Sequence, residues 1–186
     1  MVVGHDMRLY CWGNNSYGQT SRPSTSQPVP VTSECVKVNF NPQTVVCGWE
    51  HTVVLDVDGA VHSWGSNEFG QLGDGSEESR RDPQKVHSLE GEKVTQVACG
   101  AHSTAAVTSS GDVMVWGRHT LSNLPHRVHL PLKALAVACG FSHAVAVTVE
   151  GRLFSWGYNE HGELGHGDTF AGLRKPRQIV HFRSCQ

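Results

Sequence analysis

The strongest constraint on the fold of this chain is an internal repeat. Trp-Gly pairs recur at intervals of 52, 52 and 40 residues, and Cys-Gly pairs recur at intervals of 52 and 40. The tryptophans are Trp12, Trp64, Trp116 and Trp156, and the cysteines are Cys47, Cys99 and Cys139. Two markers that share one period indicate a repeat architecture, in which each unit packs on its neighbours.

Each unit contains four short apolar segments separated by turns, which predicts four β-strands. The first segment begins with Pro and falls at 28–31, 83–86, 125–128 and 176–179. The second runs into Cys-Gly, the third follows it at 52–55, 104–107 and 144–147, and the fourth runs into Trp-Gly. The third and fourth are joined by tight turns such as Asp58-Gly59, in which Gly supplies the positive φ of a hairpin.

Four strands in a unit of about 50 residues are typical of one blade of a β-propeller. The approximate units are a partial 1–27, then 28–75, 76–124 and 125–175, and a partial 176–186. The predicted fold is therefore all-β, a single array that forms a partial propeller of about three to three and a half four-stranded blades. It is expected to be an open arc unless another chain completes it.

The motifs of the unit distinguish between propeller families. Trp-Asp and Gly-Gly pairs, which mark WD and kelch repeats, do not occur. One copy instead reads Cys-Gly-Trp-Glu-His-Thr at 47–52, Asp-Gly-Ala-Val-His-Ser-Trp-Gly-Ser-Asn at 58–67 and Gly-Gln-Leu-Gly-Asp-Gly at 70–75. A later copy repeats this pattern at 139–143, 151–159 and 162–167. The chain thus resembles the regulator of chromosome condensation repeat family over nearly its whole length.

The resemblance implies three functions of different kinds. The first is a non-enzymatic scaffold whose loops and faces bind partner proteins. The second is a guanine-nucleotide exchange factor for a Ran-type small GTPase, as for the founding member, although no exchange residue can be assigned in this chain. The third is a chromatin-associated adaptor, which the mildly acidic pI of about 6.6 and the lack of a basic tail disfavour.

Several residues of the repeat are predicted to be structural. The four tryptophans of the Trp-Gly pairs should lie in equivalent buried positions between blades, where each contributes on the order of several kcal/mol. Gly48, Gly100 and Gly140 should form the turn after the Cys-Gly strand, and His51 and His143 should hydrogen-bond that turn.

The Cys and His residues allow a zinc site as an alternative. Cys47 with His51, Cys99 with His102 and Cys139 with His143 have ligand-like spacings, but each pair belongs to a different blade, whereas structural zinc commonly needs four ligands brought together. The preferred interpretation is a small buried Cys before a turn. No stoichiometric zinc and no cofactor are therefore expected, and zinc at one atom per chain would overturn this.

Composition and charge exclude several other classes. The chain of 186 residues has a formal net charge of -2 and 17% charged residues, so it lacks the basic surface of most nucleic-acid-binding proteins. Its longest apolar run is far shorter than a membrane helix, and its start does not resemble a secretory signal. No catalytic or phosphate-binding motif occurs among its residues. A non-enzymatic protein in the cytoplasm, the nucleus or both is expected.

Four aromatic residues in predicted loops are the candidates for partner binding. Trp49 and Phe141 follow Cys-Gly at equivalent positions, and Phe69 and Tyr158 lie in the connections after Trp-Gly. Large aromatic residues on loops of a rigid scaffold are common anchors in protein interfaces. Packing against the neighbouring blade is the alternative role for Trp49 and Phe141.

The middle copy departs from the pattern, and the array as a whole is short. Ser103 replaces the His of the other copies, and the segment 118–124 has lost the Gly-Gln-Leu-Gly motif, so its loop should be shorter. Strand counting gives 14 strands, about half of the 28 that a seven-bladed family propeller contains. A fragment, a truncated isoform or an obligate assembly, through self-association or completion by missing blades, is the expected explanation.

Overall fold

The computed structural model describes residues 1–22, 28–30, 34–118, 120, 122–169 and 172–180. These residues form fifteen strands in four antiparallel sheets and one short 3-10 helix, His87–Leu89. None of the helical structure in these ranges is long and apolar enough to span a membrane.

The four sheets, named A to D, follow one another along the chain. Sheet A contains β1 (Val2–Val3), β2 (Leu9–Tyr10) and β3 (Cys35–Val36). Sheet B contains β4 (Pro42–Cys47), β5 (His51–Asp56), β6 (Val61–Gly65) and β7 (Arg80–Lys85). Sheet C contains β8 (Val94–Cys99), β9 (Ser103–Thr108), β10 (Val113–Gly117) and β11 (Ser122–Val128). Sheet D contains β12 (Ala134–Cys139), β13 (His143–Thr148), β14 (Leu153–Gly157) and β15 (Leu173–Gln178).

This architecture confirms the all-β, partial-propeller prediction, with three four-stranded sheets and one three-stranded sheet that do not close into a ring. In sheets B to D the Pro-containing strand is the last of its sheet and pairs with the preceding Trp-Gly strand. Each of these sheets therefore combines three strands of one sequence unit with the first strand of the next unit.

Sheet A differs from the strand prediction. We expected one Trp-Gly strand at the start of the chain, but β1 and β3 flank it on either side. The predicted strand at 28–31 is reduced to a single bridge between Val29 and Gly13, and Val31 lies outside the described residues. In this sheet β3 pairs with β2 and takes the edge position that the Pro-containing strand has in sheets B to D.

The hydrophobic core is divided into three clusters, one at each contact between successive sheets. Side chains alternate between the two faces of each strand, so that Val53 and Leu55 of β5 face sheet C while Val54 faces sheet A. A strand inside the array is therefore apolar on both faces. Burial on both faces explains the near-continuous apolar runs of the sequence.

The tryptophans of the Trp-Gly pairs lie on the face of each sheet that looks toward the preceding sheet. Trp64 and Trp116 are fully buried and Trp156 is 8% exposed. Trp12 is 42% exposed, so the prediction that all four are buried equivalently is wrong for this residue. The physical reason is that no described sheet packs on the corresponding face of sheet A.

The turns after Cys-Gly depend on the absence of a side chain at Gly. A Cβ atom at Gly48 would overlap the His51 ring, and one at Gly140 would overlap the His143 ring. The expected hydrogen bond from His51 to its own turn is not formed, because the ring packs over Gly48 and its Nε2 lies 3.1 Å from Thr104 Oγ1 in sheet C. A Cβ at Gly100 would stand 2.6 Å from Ser103 Oγ.

The cysteines of these turns are less buried than expected. Cys99 and Cys139 are half-buried, but Cys47 is exposed, which corrects the prediction of a small buried residue at this position. Within sheet A, β1 makes the most extensive contact with β4, and Val45 of β4 packs against the core cluster of sheets A and B, whereas Cys47 at the end of β4 does not belong to that cluster.

Candidate protein-binding face

The turns that follow the Cys-Gly strands lie side by side at one end of the sheets. The backbone N–H of Trp49 donates to the carbonyl of Ala101 at 3.2 Å, and the N–H of Ala101 donates to the carbonyl of Phe141 at 3.2 Å. These bonds join sheets B, C and D directly. They place the two predicted aromatic residues on either side of Ala101.

Four rings form a contiguous cluster on this end, which we call the aromatic patch: Trp49, Phe69, His102 and Phe141. The ring of Trp49 meets Phe141 edge-to-face at a centroid distance of 4.9 Å and His102 at 5.4 Å. Phe69 lies 5.0 Å from His102. Edge-to-face contacts of this kind hold aromatic rings in defined positions.

The patch remains open to solvent even though its rings contact one another. Trp49 is 65% exposed and Phe141 is 56% exposed. Packing against the neighbouring blade, the alternative role considered from the sequence, therefore covers only part of each ring. Large exposed apolar groups that lie together are typical of protein-interaction surfaces.

Charged groups surround the patch. The carboxylates of Glu50 and Glu68 raise the pKa of Tyr17, which places both acids at the same end of the sheets. The guanidinium carbon of Arg118 lies 4.6 Å from the centroid of the Phe69 ring, in a cation–π arrangement. Burial, together with the Arg118 charge, lowers the pKa of His102, so this ring is neutral at pH 7.

Tyr158, the fourth predicted aromatic residue, lies beside the patch. Together with Phe141 it lines a cavity of about 510 Å³ between sheets C and D, whose polar walls include Arg118, His161 and Glu163. A hydrogen bond with Glu160 raises the pKa of the Tyr158 hydroxyl. The structure therefore brings all four predicted aromatic residues to one end of the array.

Below this end, the loop after Trp-Gly of sheet A is hydrogen-bonded to sheet B, and the corresponding loop of sheet B is hydrogen-bonded to sheet C. Between sheets B and C, the carbonyl of Gln71 accepts hydrogen bonds from Trp116 Nε1 at 2.9 Å and from Thr104 Oγ1 at 2.8 Å. Because the single hydroxyl proton of Thr104 is used there, His51 must donate its Nε2 proton to Thr104. Burial lowers the pKa of His51 to about 3, which keeps the ring neutral.

The interface between sheets A and B repeats this arrangement. The carbonyl of Gln19 accepts from Trp64 Nε1 at 2.9 Å and from Thr52 Oγ1 at 3.0 Å. Two donors from one sheet thus converge on one loop carbonyl of the preceding sheet. We call this arrangement the carbonyl clamp.

The described residues of the interface between sheets C and D do not form a carbonyl clamp. The connection after Gly117 is only residues 118–121, compared with 66–79 in sheet B, which confirms the predicted shorter loop. Ala144 occupies the position of Thr52 and Thr104, and among the described residues Trp156 Nε1 has no hydrogen-bond partner. A hollow of about 40 Å³ lies here. We call this gap, lined by Trp156, Ala144 and Arg118, the notch.

Two residues of the site were missed from the sequence. His102 joins the aromatic patch, and Arg118 lies between the patch and the notch. His102 lies two residues after Gly100, and Arg118 directly follows Gly117. At both positions the other copies of the repeat carry different residues. A comparison of the copies position by position could have identified them.

The structure brings no metal ligands together within the described ranges. No group of three or more His, Cys, Asp or Glu residues there could hold an ion. The five cysteines in these ranges carry free thiols. Burial raises the pKa of the Cys139 thiol to about 12, so this group is a poor nucleophile and a poor ligand at neutral pH.

Comparison with known proteins identifies the repeat. The model of the regulator of chromosome condensation (RCC1) repeat matches residues 6–55, 58–107 and 150–185. The ultraviolet-B receptor UVR8 of Arabidopsis thaliana is 36% identical over 121 residues, which are 63% of this chain and 27% of the receptor. This chain therefore spans about a quarter of the length of that relative.

Solved structures match almost the whole chain. Human WBSCR16 superposes with a TM-score of 0.82 and 28% identity, over 93% of this chain and 48% of that protein. Yeast RCC1 (Prp20), in a crystal structure of Kap60 bound to it, superposes with a TM-score of 0.78 and 21% identity, over 94% of this chain and 45% of that chain. The described sheets thus correspond to about half of these propellers.

Proposed function

Because this chain belongs to the regulator of chromosome condensation (RCC1) repeat family, we propose that it is a non-catalytic protein-interaction module that binds its partner through the aromatic patch. The observation that carries the proposal is the contact between Trp49 and Phe141, two exposed rings on the turns that flank the turn of Ala101. The turns are joined by backbone hydrogen bonds, so the rings lose little conformational entropy on binding.

The charges around the patch indicate the chemistry of the partner. Glu50 and Glu68 lie close enough to His102 of the patch for their charges to raise its pKa, against the lowering by burial and Arg118. The guanidinium of Arg118 already stacks on the ring of Phe69. An apolar surface flanked by lysine or arginine complements this arrangement. Tryptophan is also among the residues that contribute most to binding when the partner covers them.

The experiment that tests this proposal is quantitative affinity purification with a matched control. The double variant Trp49→Ala/Phe141→Ala is compared with Leu135→Ala/Val149→Ala, which removes two equally exposed apolar side chains near the opposite ends of the strands of sheet D. We expect at least one partner of the wild type to fall about tenfold or more with the first variant and to be unchanged with the second. Equal recovery of every partner by both variants would contradict the proposal.

Exchange activity on a small GTPase is the alternative function, and its support is the shared fold with yeast RCC1 (Prp20). A nucleotide-release assay against a panel of small GTPases separates it from a scaffold. Acceleration of release by the wild type that survives in Trp49→Ala/Phe141→Ala would favour exchange through another surface. A chromatin-associated adaptor is the third possibility, and the formal net charge of -2 does not favour it.

A further inference from the structure

The loops after Trp-Gly in sheets A and B are built alike, so that Tyr17 of sheet A is the counterpart of Phe69 of sheet B. Each of the two residues comes five positions after the tryptophan of its Trp-Gly pair. The N–H of Tyr17 donates to Gln19 Oε1 at 3.0 Å, and the N–H of Phe69 donates to Gln71 Oε1 at 3.0 Å. The two aromatic residues therefore hold the same place relative to the next sheet along the chain.

Between sheets B and C, the ring of Phe69 carries a cation of this chain. The guanidinium carbon of Arg118 lies 4.6 Å from the centroid of the Phe69 ring, and the ring of His102 lies 5.0 Å from it. The N–H of Arg118 donates to the carbonyl of His102 at 2.9 Å, which fixes the arginine beside the turn of sheet C. This contact shows that an aromatic ring at this place in the repeat accepts a guanidinium.

Between sheets A and B, the same backbone arrangement carries different side chains. The N–H of Ser66 donates to the carbonyl of Glu50 at 2.8 Å, so Ser66 is the counterpart of Arg118 and Glu50 is the counterpart of His102. The Ser66 hydroxyl is buried and accepts from Gln71 Nε2 at 3.3 Å. An acidic residue thus replaces the imidazole beside the aromatic ring, and a serine replaces the arginine.

Two carboxylates act on Tyr17. The charge of Glu50, followed by that of Glu68, raises the pKa of the Tyr17 hydroxyl. Glu50 and Tyr17 are half-buried, and Glu68 is exposed. Within the part of the chain that the structure describes, no Lys, Arg or His forms an ion pair with either carboxylate. We call Tyr17, Glu50 and Glu68 the acidic site.

A cation that packs against the loop of Tyr17 is already paired elsewhere. A Cβ atom at Gly18 would stand 2.9 Å from the Cβ of Arg81, so Arg81 lies beside this loop. Its guanidinium forms two hydrogen bonds with the Asp82 carboxylate, at 3.1 and 3.2 Å. The raised pKa of Tyr17 agrees with this pairing, because a guanidinium close to the phenol would lower that pKa.

We propose that the acidic site binds an arginine of the partner protein, whose guanidinium stacks on Tyr17 as Arg118 stacks on Phe69 and donates to Glu50 and Glu68. Arginine suits both contacts, because its planar guanidinium stacks on aromatic faces and donates to carboxylates as a fork. Trp49 directly precedes Glu50, so the site continues the aromatic patch. The inference rests on the proposed function and specifies one residue of the partner.

The test uses the blocked peptide Gly-Gly-Arg-Gly-Gly, titrated into protein with carbon-13-labelled tyrosine at about 0.15 M salt, where long-range attraction is screened. The chain has three tyrosines, and Tyr17→Phe assigns the Tyr17 ring signal in the NMR spectrum. We expect a saturable shift of this signal with a dissociation constant on the order of 1–10 mM. The peptide with lysine should bind at least about threefold more weakly, and the peptide with norleucine should leave the signal in place.

Two variants locate the binding site. Glu50→Gln/Glu68→Gln keeps the size of both side chains but removes their charges, so the arginine peptide should bind at least about fivefold more weakly. Glu160→Gln is the matched control, because Glu160 is exposed and follows Trp156 at the distance at which Glu68 follows Trp64. It should leave the dissociation constant within about twofold of the wild type.

Three results would overturn the proposal. They are a Tyr17 signal that stays in place at about 20 mM arginine peptide, equal weakening by the Glu50→Gln/Glu68→Gln variant and its control, and lysine binding as tight as arginine binding.

Affinity purification with Glu50→Gln/Glu68→Gln separates this inference from the proposed function. A partner that is lost in Trp49→Ala/Phe141→Ala should also fall in the glutamate variant. Full recovery of that partner by the glutamate variant, without peptide binding at Tyr17, would leave the proposed function standing and reject the acidic site. Peptide binding at Tyr17 with no partner lost in Trp49→Ala/Phe141→Ala would instead reject the proposed function and leave the arginine site standing.

Discussion

The interface between sheets B and C and the interface between sheets C and D are built from the same repeat, but among the described residues a loop carbonyl joins the two sheets only in the first. Between B and C, the Gln71 carbonyl joins Trp116 and Thr104, and His51 extends the network. Between C and D, the loop is shorter and the threonine is Ala144. With Ala144, this position has no hydroxyl that needs a loop carbonyl, and a buried hydroxyl without an acceptor would cost about 1–3 kcal/mol.

Replacing the interface tryptophans should produce the largest effect. Trp116→Ala removes a fully buried ring and its hydrogen bond to Gln71, so we expect a loss of about 3–5 kcal/mol in the free energy of unfolding. Trp156→Ala should cost about 1 kcal/mol less, because its interface is already open. Urea unfolding of both variants measures the difference, and an equal or larger loss for Trp156→Ala would contradict the comparison.

The free energy of unfolding should also depend on pH, because His51 is buried at the interface between sheets B and C. The pKa of His51 is about 3 in the folded protein because of burial, against about 6.5 when unfolded. Between these values only the unfolded state binds the proton, so stability falls as the pH is lowered from 6.5 toward 3, by about 1 kcal/mol per pH unit. His51→Gln keeps an N–H donor without this titration.

Urea unfolding of the wild type and His51→Gln at pH 7, 6, 5 and 4.5 measures this dependence. The advantage of the wild type over the variant should shrink at each step below pH 6.5. A constant difference over this range would show that His51 is not held neutral in the interface.

Two glycines at equivalent loop positions provide a matched pair. Gly73 and Gly165 both have positive φ, 77° and 69°, so replacement by Ala strains both, by about 1–2 kcal/mol. At Gly73 the new Cβ would also stand 2.7 Å from Trp116 Nε1, whereas at Gly165 the nearest atom is 3.7 Å away. Gly73→Ala should therefore lower the melting temperature more than Gly165→Ala, and the reverse order would contradict the clamp geometry.

The smallest expected effect concerns the two threonines of the clamp. Thr104→Val removes the hydroxyl that donates to Gln71 and accepts from His51, whereas Thr52→Val removes only the bond to Gln19. We expect losses of about 2 and about 1 kcal/mol in the free energy of unfolding. Equal losses in urea unfolding would show that His51 does not depend on Thr104.

Much of this fold could be predicted because the constant spacing of the repeat motifs gives the order and the approximate positions of the strands. The distances from Cys-Gly to the hairpin Gly and on to Trp-Gly fixed three consecutive strands in each of sheets B to D. The missing Gly-Gln-Leu-Gly motif correctly indicated the short loop in sheet C. The place of Trp49 and Phe141 directly after a strand assigned them to loops, but it did not decide between exposure and packing against the neighbouring blade.

Other features depend on which sheets meet, and a linear pattern does not contain this information. The period alone could not assign the Pro-containing strands to the end of the preceding sheet. Trp12 carries the same motif as Trp64, yet it lacks a neighbouring sheet and is exposed. His51 bonds across to Thr104, 53 residues away, because the next sheet places that hydroxyl over its ring.

Exchange of the indole N–H protons with deuterium, followed by NMR, tests the contrast between the two interfaces most directly. Trp12 and Trp49 are exposed and serve as fast-exchanging references in the same sample. The indole of Trp116 should exchange at least tenfold more slowly than that of Trp156, because Trp116 donates to the Gln71 carbonyl, whereas no described residue accepts from Trp156. Equal protection of the two indoles would contradict an open notch between sheets C and D.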